Sequence, residues 1–213
     1  MIEFSVEKTI NDAIKEEREE RKVTSWHPSK LGQCLTGTYL ERLGVPPDKE
    51  FEDRVLRVFS VGKMFENWII SLLEKNHKVE KQVRLEWPEQ NVTGYADAVV
   101  DEELVYELKS QHSNSLHRMR KEGGPHVHHQ MQLWIAMKIL AKKEGRLVYI
   151  SKDDLTILEY PILITDKWLE SKVIKELEIL NKAWTEKVAP PVEFDDKDWR
   201  ARYCRWHSQC LAQ

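Results

Sequence analysis

Apolar positions alternate between helical and strand spacing along the chain, and each change predicts a new element. Val6, Ile10 and Ile14 recur at helical spacing ahead of a run of charges ending at Lys22, which predicts a solvated helix over 5–22 packed by one edge. His27-Pro28-Ser29 then precedes Leu31, Leu35, Tyr39 and Leu43, a four-residue rhythm that predicts a short helix ending near Gly44 with Pro46 and Pro47 behind it. A third helix is predicted from about 50 to 76, with Val55, Phe59, Phe65, Ile69 and Leu72 or Leu73 as its stripe and Gly62 near its middle. Beyond it the period falls to two. Runs at 79–86, 94–100 and 104–109, separated by turn-forming residues at 87–91 and 101–103, predict an antiparallel meander of three strands. After Gly123-Gly124-Pro125, residues 126–142 predict a helix with Leu133, Met137 and Ile139 or Leu140 inward. Strands at 146–151 and 155–162 and an amphipathic helix over about 165–188 complete the pattern. This order predicts an α/β fold with a central mixed sheet flanked by helices, and helical elements at both ends.

Composition narrows the picture. A chain of 213 residues with 8 Gly, 8 Pro and no repeat or low-complexity linker is expected to form one domain over 1–213. Its parts are a helical stretch (1–76), an α/β core (77–188) and a cysteine-containing tail (189–213). Thirty-three Lys and Arg against 36 Asp and Glu give a net charge of −3, so a nucleic-acid partner requires locally concentrated basic residues. Three cysteines are too few for a disulfide scaffold and favour a reducing compartment. Residues 1–22 are too charged to read as a secretory h-region, and no stretch approaches the roughly 20 apolar residues needed to span a bilayer. A cytoplasmic protein without a membrane partner is expected.

The stretch GYADAVVDEELVYELKS (94–110) carries the most chemistry. Alternation in a strand points Glu107 and Lys109 the same way, and one short turn upstream Asp97 can be brought beside Glu107. Two carboxylates and a backbone carbonyl form an oxygen-rich site for a hard cation such as Mg²⁺ or Mn²⁺, and the lysine can stabilise an attacked phosphate. The acidic-x-Lys triplet occurs three times, at Glu107, Glu170 and Asp195. Only the first ends an apolar strand with an aspartate one hairpin before it; a surface ion pair is the lesser reading of that copy.

Asp97 with Glu107-x-Lys109 resembles the core of the PD-(D/E)xK nucleases, and its flanks resemble the RecB-like, CRISPR-associated and phage exonuclease branch. Gly62-Lys63-Met64-Phe65-Glu66 is similar to a G-x-x-x-(H/E) motif of that branch, and Gln130-Met131-Gln132-Leu133-Trp134 to its Q-x-x-x-Y motif, with Trp134 at the tyrosine position. The resemblance spans roughly 27–210 and implies a restriction-endonuclease-like core. It implies Glu66, Asp97 and Glu107 as ligands of Mg²⁺ or Mn²⁺, Lys109 as the catalytic lysine and Gln130 as an orienting residue, with Gln132 an alternative. Ala96 stands where the family motif has proline.

In the same branch many members hold an iron–sulfur cluster between one cysteine before the core and a C-x₂-C-x₅-C set after it. Cys34, Cys204 and Cys210 match three of these positions, but Ala201 occupies the fourth. His207 is the nearby side chain able to substitute, and the set Cys34, Cys204, His207 and Cys210 equally suits a structural zinc. Three reduced cysteines with no metal are the remaining alternative. Two basic groups are candidates for DNA contact. Arg118, Arg120 and Lys121 follow the catalytic lysine as a phosphate-contacting loop, joined by the aromatic Trp134. Lys197, Arg200, Arg202 and Arg205 interleave with Trp199, Tyr203 and Trp206. His126, His128 and His129 line the DNA path or cap the helix they begin. The expected function is a metal-dependent DNA exonuclease acting on phosphodiester bonds, with a recombination or CRISPR-adaptation partner. A non-catalytic DNA-binding or assembly factor of the same fold is the alternative. The oligomeric state is left open.

Overall fold

The computed structural model describes residues 5–17, 22–192, 195 and 197–211; the charge run over 18–21 lies outside them. Five strands form one mixed sheet in sequence order. β1 (Val79–Trp87), β2 (Val92–Val100) and β3 (Leu104–Gln111) are an antiparallel meander, β4 (Glu144–Ser151) runs parallel to β3, and β5 (Ile157–Leu163) returns antiparallel. The parallel step requires a long crossover. Two helices supply it: α4 (Ser113–Glu122) and α5 (Val127–Ile139).

Alternation along the strands separates two apolar layers. Val99, Val105, Leu147 and Tyr149 face the larger core, where α5 meets both the sheet and α6 (Lys167–Glu186) and contributes Met131, Leu133, Ile135 and Met137. Ala98, Leu108 and Val148 face the other way and meet Ile70 of α3 (Asp53–Leu73). α5 is buried almost all round, from Leu133 through Met137, so its inward face is wider than the expected stripe. On α3 the buried residues are Leu56 and Ile70, whereas Phe59 and Leu72 of the expected stripe are exposed. α3 carries apolar side chains on more than one face, and periodicity cannot say which of them meets a sheet.

At the N-terminal side, α1 (Val6–Glu16) is capped by Ser5, which accepts the Lys8 amide at 3.3 Å. α2 (Leu35–Leu43) begins at Cys34 and ends at Gly44 in the left-handed region, φ 80°. The Arg42 guanidinium sits in the corner formed by the perpendicular rings of Trp26 and Trp184, 4.1 Å from each, which ties α2 to α6. Two short helices, α7 (Trp199–Tyr203) and α8 (His207–Leu211), bring the C-terminal segment back to α2. Asp48 accepts the Ser208 amide at 2.7 Å, and Trp206 donates its indole N–H to the Val45 carbonyl at 2.8 Å.

Candidate active site

The β2–β3 ladder pairs Val100 with Leu104, Val99 with Val105 and Ala98 with Tyr106, and then stops. One further step in register would set Asp97 opposite Glu107. Instead Asp97 Oδ2 accepts the Leu108 amide at 2.8 Å, so a side chain takes over a ladder hydrogen bond and the strands fork. The β1 side opens at the same place. Pairing skips the Gln82–Asp97 step, and Gln82 has φ 52°, a left-handed conformation costly for a residue with a Cβ. Backbone geometry is therefore irregular on both flanks of Asp97.

Glu107 faces the fork at 1% exposure and forms an ion pair with Lys109. Burial and the nearby Asp97 charge push the Glu107 carboxyl up to about 8, with Lys109 opposing. Burial raises Asp97 as well; Lys109 and the Leu108 amide pull it down, and Glu66 adds to the rise. Burial disfavours the Lys109 ammonium, but the Glu107 and Asp97 carboxylates outweigh it and hold the lysine above its ordinary value. A crowded set of acids around one lysine is a site with a shortage of positive charge.

Glu66 reaches the same locality from α3. Gly62, one turn earlier, passes close to β3: a methyl there would stand 3.4 Å from Ser110 Oγ. The Glu66 carboxylate accepts from Lys63 Nζ at 2.6 Å and from Gln82 Nε2 at 2.7 Å. Gln82 thus joins the irregular point of β1 to the acid on α3, a role with no sequence signal, because a non-glycine residue with positive φ leaves no mark in composition or period. Glu66, Asp97 and Glu107 do not close into one tight group: among the described residues only three cysteines bring three donor atoms mutually within 4.8 Å. Each acid is turned to its own partner, Lys63, the Leu108 amide or Lys109.

At the start of α5, Gln130 Nε2 donates to the Pro125 carbonyl at 2.9 Å, so its amide nitrogen braces the turn before the helix. His129 Nδ1 and the Tyr149 hydroxyl are 2.8 Å apart, and His126 and His128 stack with ring centroids 5.5 Å apart. Burial, reinforced by surrounding positive charge, lowers all three histidines, His128 to about 4. They are neutral at pH 7 and add no positive charge to a DNA path. Trp134 corrects an expectation: it is 1% exposed and donates its indole N–H to the Ile164 carbonyl at 3.1 Å. The tyrosine position of the motif is a core position in this chain, because α5 is buried all round from Leu133 through Met137, and Trp134 cannot touch DNA.

Arg118, Arg120 and Lys121 are exposed, but the loop expected to carry them is α4. Leu116 and Met119 fasten this helix, and its first turn is capped from a distance: Asp153 accepts from Ser113 N at 2.8 Å and from Ser113 Oγ at 2.9 Å. In the second basic cluster, Trp206 is buried and Tyr203 is 81% exposed, while the side chains of Trp199 and Arg202 lie outside the described residues. Arg205 pairs with Glu50 at 2.9 Å and packs over Phe51.

The cysteines of the two ends do meet. Cys34 and Cys204 each approach Cys210, at Sγ–Sγ distances of 3.7 and 3.6 Å. Hydrogen bonds from Cys204 and Cys210 hold the Cys34 thiol well below its ordinary value, and hydrogen bonds to Cys204 and Cys34 push Cys210 well above. His207 does not join them. Its Nδ1–H donates to the Ala201 carbonyl at 3.0 Å, and the three-donor group contains the cysteines alone.

No protein-family model and no curated protein sequence matches the chain. Among solved structures it is similar to SSO0001, with a TM-score of 0.67 at 21% identity over 100% of this chain and 98% of that one. It is also similar to an alkaline exonuclease, LHK-Exo, from Laribacter hongkongensis, with a TM-score of 0.56 at 13% identity over 84% of this chain and 96% of that one. With the complex of LHK-Exo and dAMP the TM-score is 0.60 at 14% identity, over 78% and 90% of the two chains. At these identities the likeness establishes the fold: a five-stranded mixed sheet flanked by helices, of the kind that these exonuclease structures carry.

Proposed function

We propose that this chain is a divalent-metal-dependent deoxyribonuclease, an exonuclease of the RecB-like kind. The observation that carries the reading is the strand fork, where Asp97 displaces the β2–β3 ladder beside a buried Glu107 paired with Lys109. A structural ion pair has no need of a broken ladder, a raised carboxylate and a third acid brought in from a helix. The oxygen donors of Asp97, Glu107 and Glu66 suit a hard cation, Mg²⁺ or Mn²⁺. Such an ion supplies Lewis acidity and offsets charge that develops on the attacked phosphate.

The chain's own residues do the rest. Asp97 and Glu107 present their carboxyl oxygens at the fork, and the Leu108 amide orients Asp97. With a cation held by these acids, the Lys109 ammonium, which pairs with Glu107 in the ion-free site, would be available to the phosphate oxygens. Gln82 holds Glu66 from behind. DNA lies against the outer face of α4, where Arg118, Arg120 and Lys121 bind phosphates. Replacing all three by alanine is expected to weaken DNA binding at every sequence. The slope of log affinity against log salt should fall by about 2–3, close to 0.9 for each phosphate that is no longer neutralised. An unchanged slope in a filter-binding titration would remove α4 from the DNA path.

End-labelled linear DNA and covalently closed circular DNA, each incubated with Mg²⁺ or Mn²⁺ and with or without EDTA, test the function itself. Linear DNA is expected to be degraded, circular DNA spared and EDTA to stop the reaction. Cutting of the circle would replace exonuclease by endonuclease. Binding without degradation in either metal would favour the non-catalytic assembly factor.

A further inference from the structure

The cysteine trio stands apart from the strand fork, and its geometry differs from what the resemblance implies. A cubane iron–sulfur cluster takes four thiolates and places each on a different iron, which holds their sulfurs far apart. Here there are three cysteines, and Cys210 lies 3.7 Å from Cys34 and 3.6 Å from Cys204, sulfur to sulfur. Ligands about 2.3 Å from one tetrahedral ion stand about 3.8 Å from each other. The observed separations match the edge of that tetrahedron and leave no room for a cubane.

Three further features fit a single ion. Gly37 keeps space clear beside the sulfurs: a Cβ there would lie 2.9 Å from Cys204 Sγ and 3.5 Å from Cys34 Sγ. Cys34 caps α2 and accepts the Gly37 amide at 3.2 Å, so the positive end of a nine-residue helix faces the thiolates. Cys34 and Cys210 are buried, and Ala201, at the position the fourth ligand would occupy, carries no donor. His207 directs its Nδ1–H to the Ala201 carbonyl and stays outside the group.

We propose that Cys34, Cys204 and Cys210 bind one soft divalent ion, Zn²⁺, through three thiolates, with the fourth position left to a solvent molecule or a small exogenous ligand, and that this ion fastens α2 to the C-terminal segment. Binding displaces to solvent whatever protons the thiols still carry and involves no change of oxidation state.

The full chain, produced in medium supplemented with both iron and zinc and purified without chelator, is expected to be colourless. It should carry about one zinc per chain by mass spectrometry of the elements, without iron or acid-labile sulfide. Cys210→Ser should lower the zinc content at least tenfold. If that variant is insoluble, wild-type protein stripped of metal and titrated with Co²⁺ under reducing conditions provides the test instead. A thiolate-to-cobalt charge-transfer band saturating at one equivalent, and displaced by Zn²⁺, is expected. Brown protein containing iron and sulfide would overturn the proposal, as would a reduced chain that takes up neither zinc nor cobalt. DNA degradation is not a readout here, so failure of this proposal leaves the nuclease reading untouched, and the reverse.

Discussion

Asp97→Asn and Lys109→Ala are each expected to lower Mg²⁺-dependent DNA degradation by about 10²–10³-fold or more in a chain that still folds. The two substitutions separate architecture from chemistry. Asparagine keeps a carbonyl oxygen able to accept the Leu108 amide, so the hydrogen bond at the fork survives while the charge is lost. Asp97→Ala is expected to lose activity as well, and in addition to leave the Leu108 amide without its acceptor, at a cost of about 1–3 kcal/mol. An inactive Asp97→Asn that melts like wild type therefore assigns the loss to the missing carboxylate charge. Lys109→Ala removes the cation that pairs with Glu107 and so strengthens the bias of that buried carboxyl toward its protonated form. Circular dichroism and thermal melts check the fold, and degradation of labelled linear DNA checks the activity. Wild-type rates in either variant would remove the fork from the reaction.

The second large effect is on stability and has a definite sign with pH. In the metal-free protein the Glu107 carboxyl is raised from 4.5 to about 8, so the folded state holds a proton that the unfolded chain has released. Stability from this source is complete below about pH 4.5 and is lost as pH rises through 8. Glu107→Gln removes the titration. Its melting temperature relative to wild type is expected to climb between pH 5 and pH 9 when both are measured in EDTA. Even ~1.4 kcal/mol, one tenfold in an ionisation constant, moves the melting temperature of a chain this size by ~3–5 °C. Mg²⁺ or Mn²⁺ should raise the melting temperature of wild type at pH 8 and leave the variant nearly unchanged, because the ion binds the ionised form. A pH-independent difference between the two proteins, or equal metal stabilisation of both, would show that Glu107 is neither the perturbed acid nor a ligand.

Much of this molecule is readable along the chain because its signals are local. Alternating apolar residues set β1 to β5 within a few positions of where they stand, and helical spacing locates α1, α2, α3, α5 and α6. Asp97, Glu107 and Lys109 are identifiable because the hairpin connecting β2 and β3 is short, so residues ten apart in sequence are neighbours across it. α4 carries no such signal, for the opposite reason. Only Leu116 and Met119 are buried among its described side chains, its own N-cap residue makes no capping bond, and the Asp153 that caps it lies 40 residues away.

The same distinction runs through the functional residues. Motif order alone singles out Glu66 and the three cysteines, but which partners they meet depends on packing between distant elements. Gln82 supports Glu66 only because α3 crosses β1 at the point where the strand kinks. Trp134 is lost to the DNA path because α5 is buried all round from Leu133 through Met137, and no period reveals such burial. Cys34 lies 170 and 176 residues from its two partners, and the fold brings all three together while turning His207 toward Ala201. Residue type and spacing specify the chemistry available to this chain. Contacts across the sheet and between its two ends specify which of those residues share a site, because distances of a few ångströms between remote positions are written in the packing and not in the local pattern.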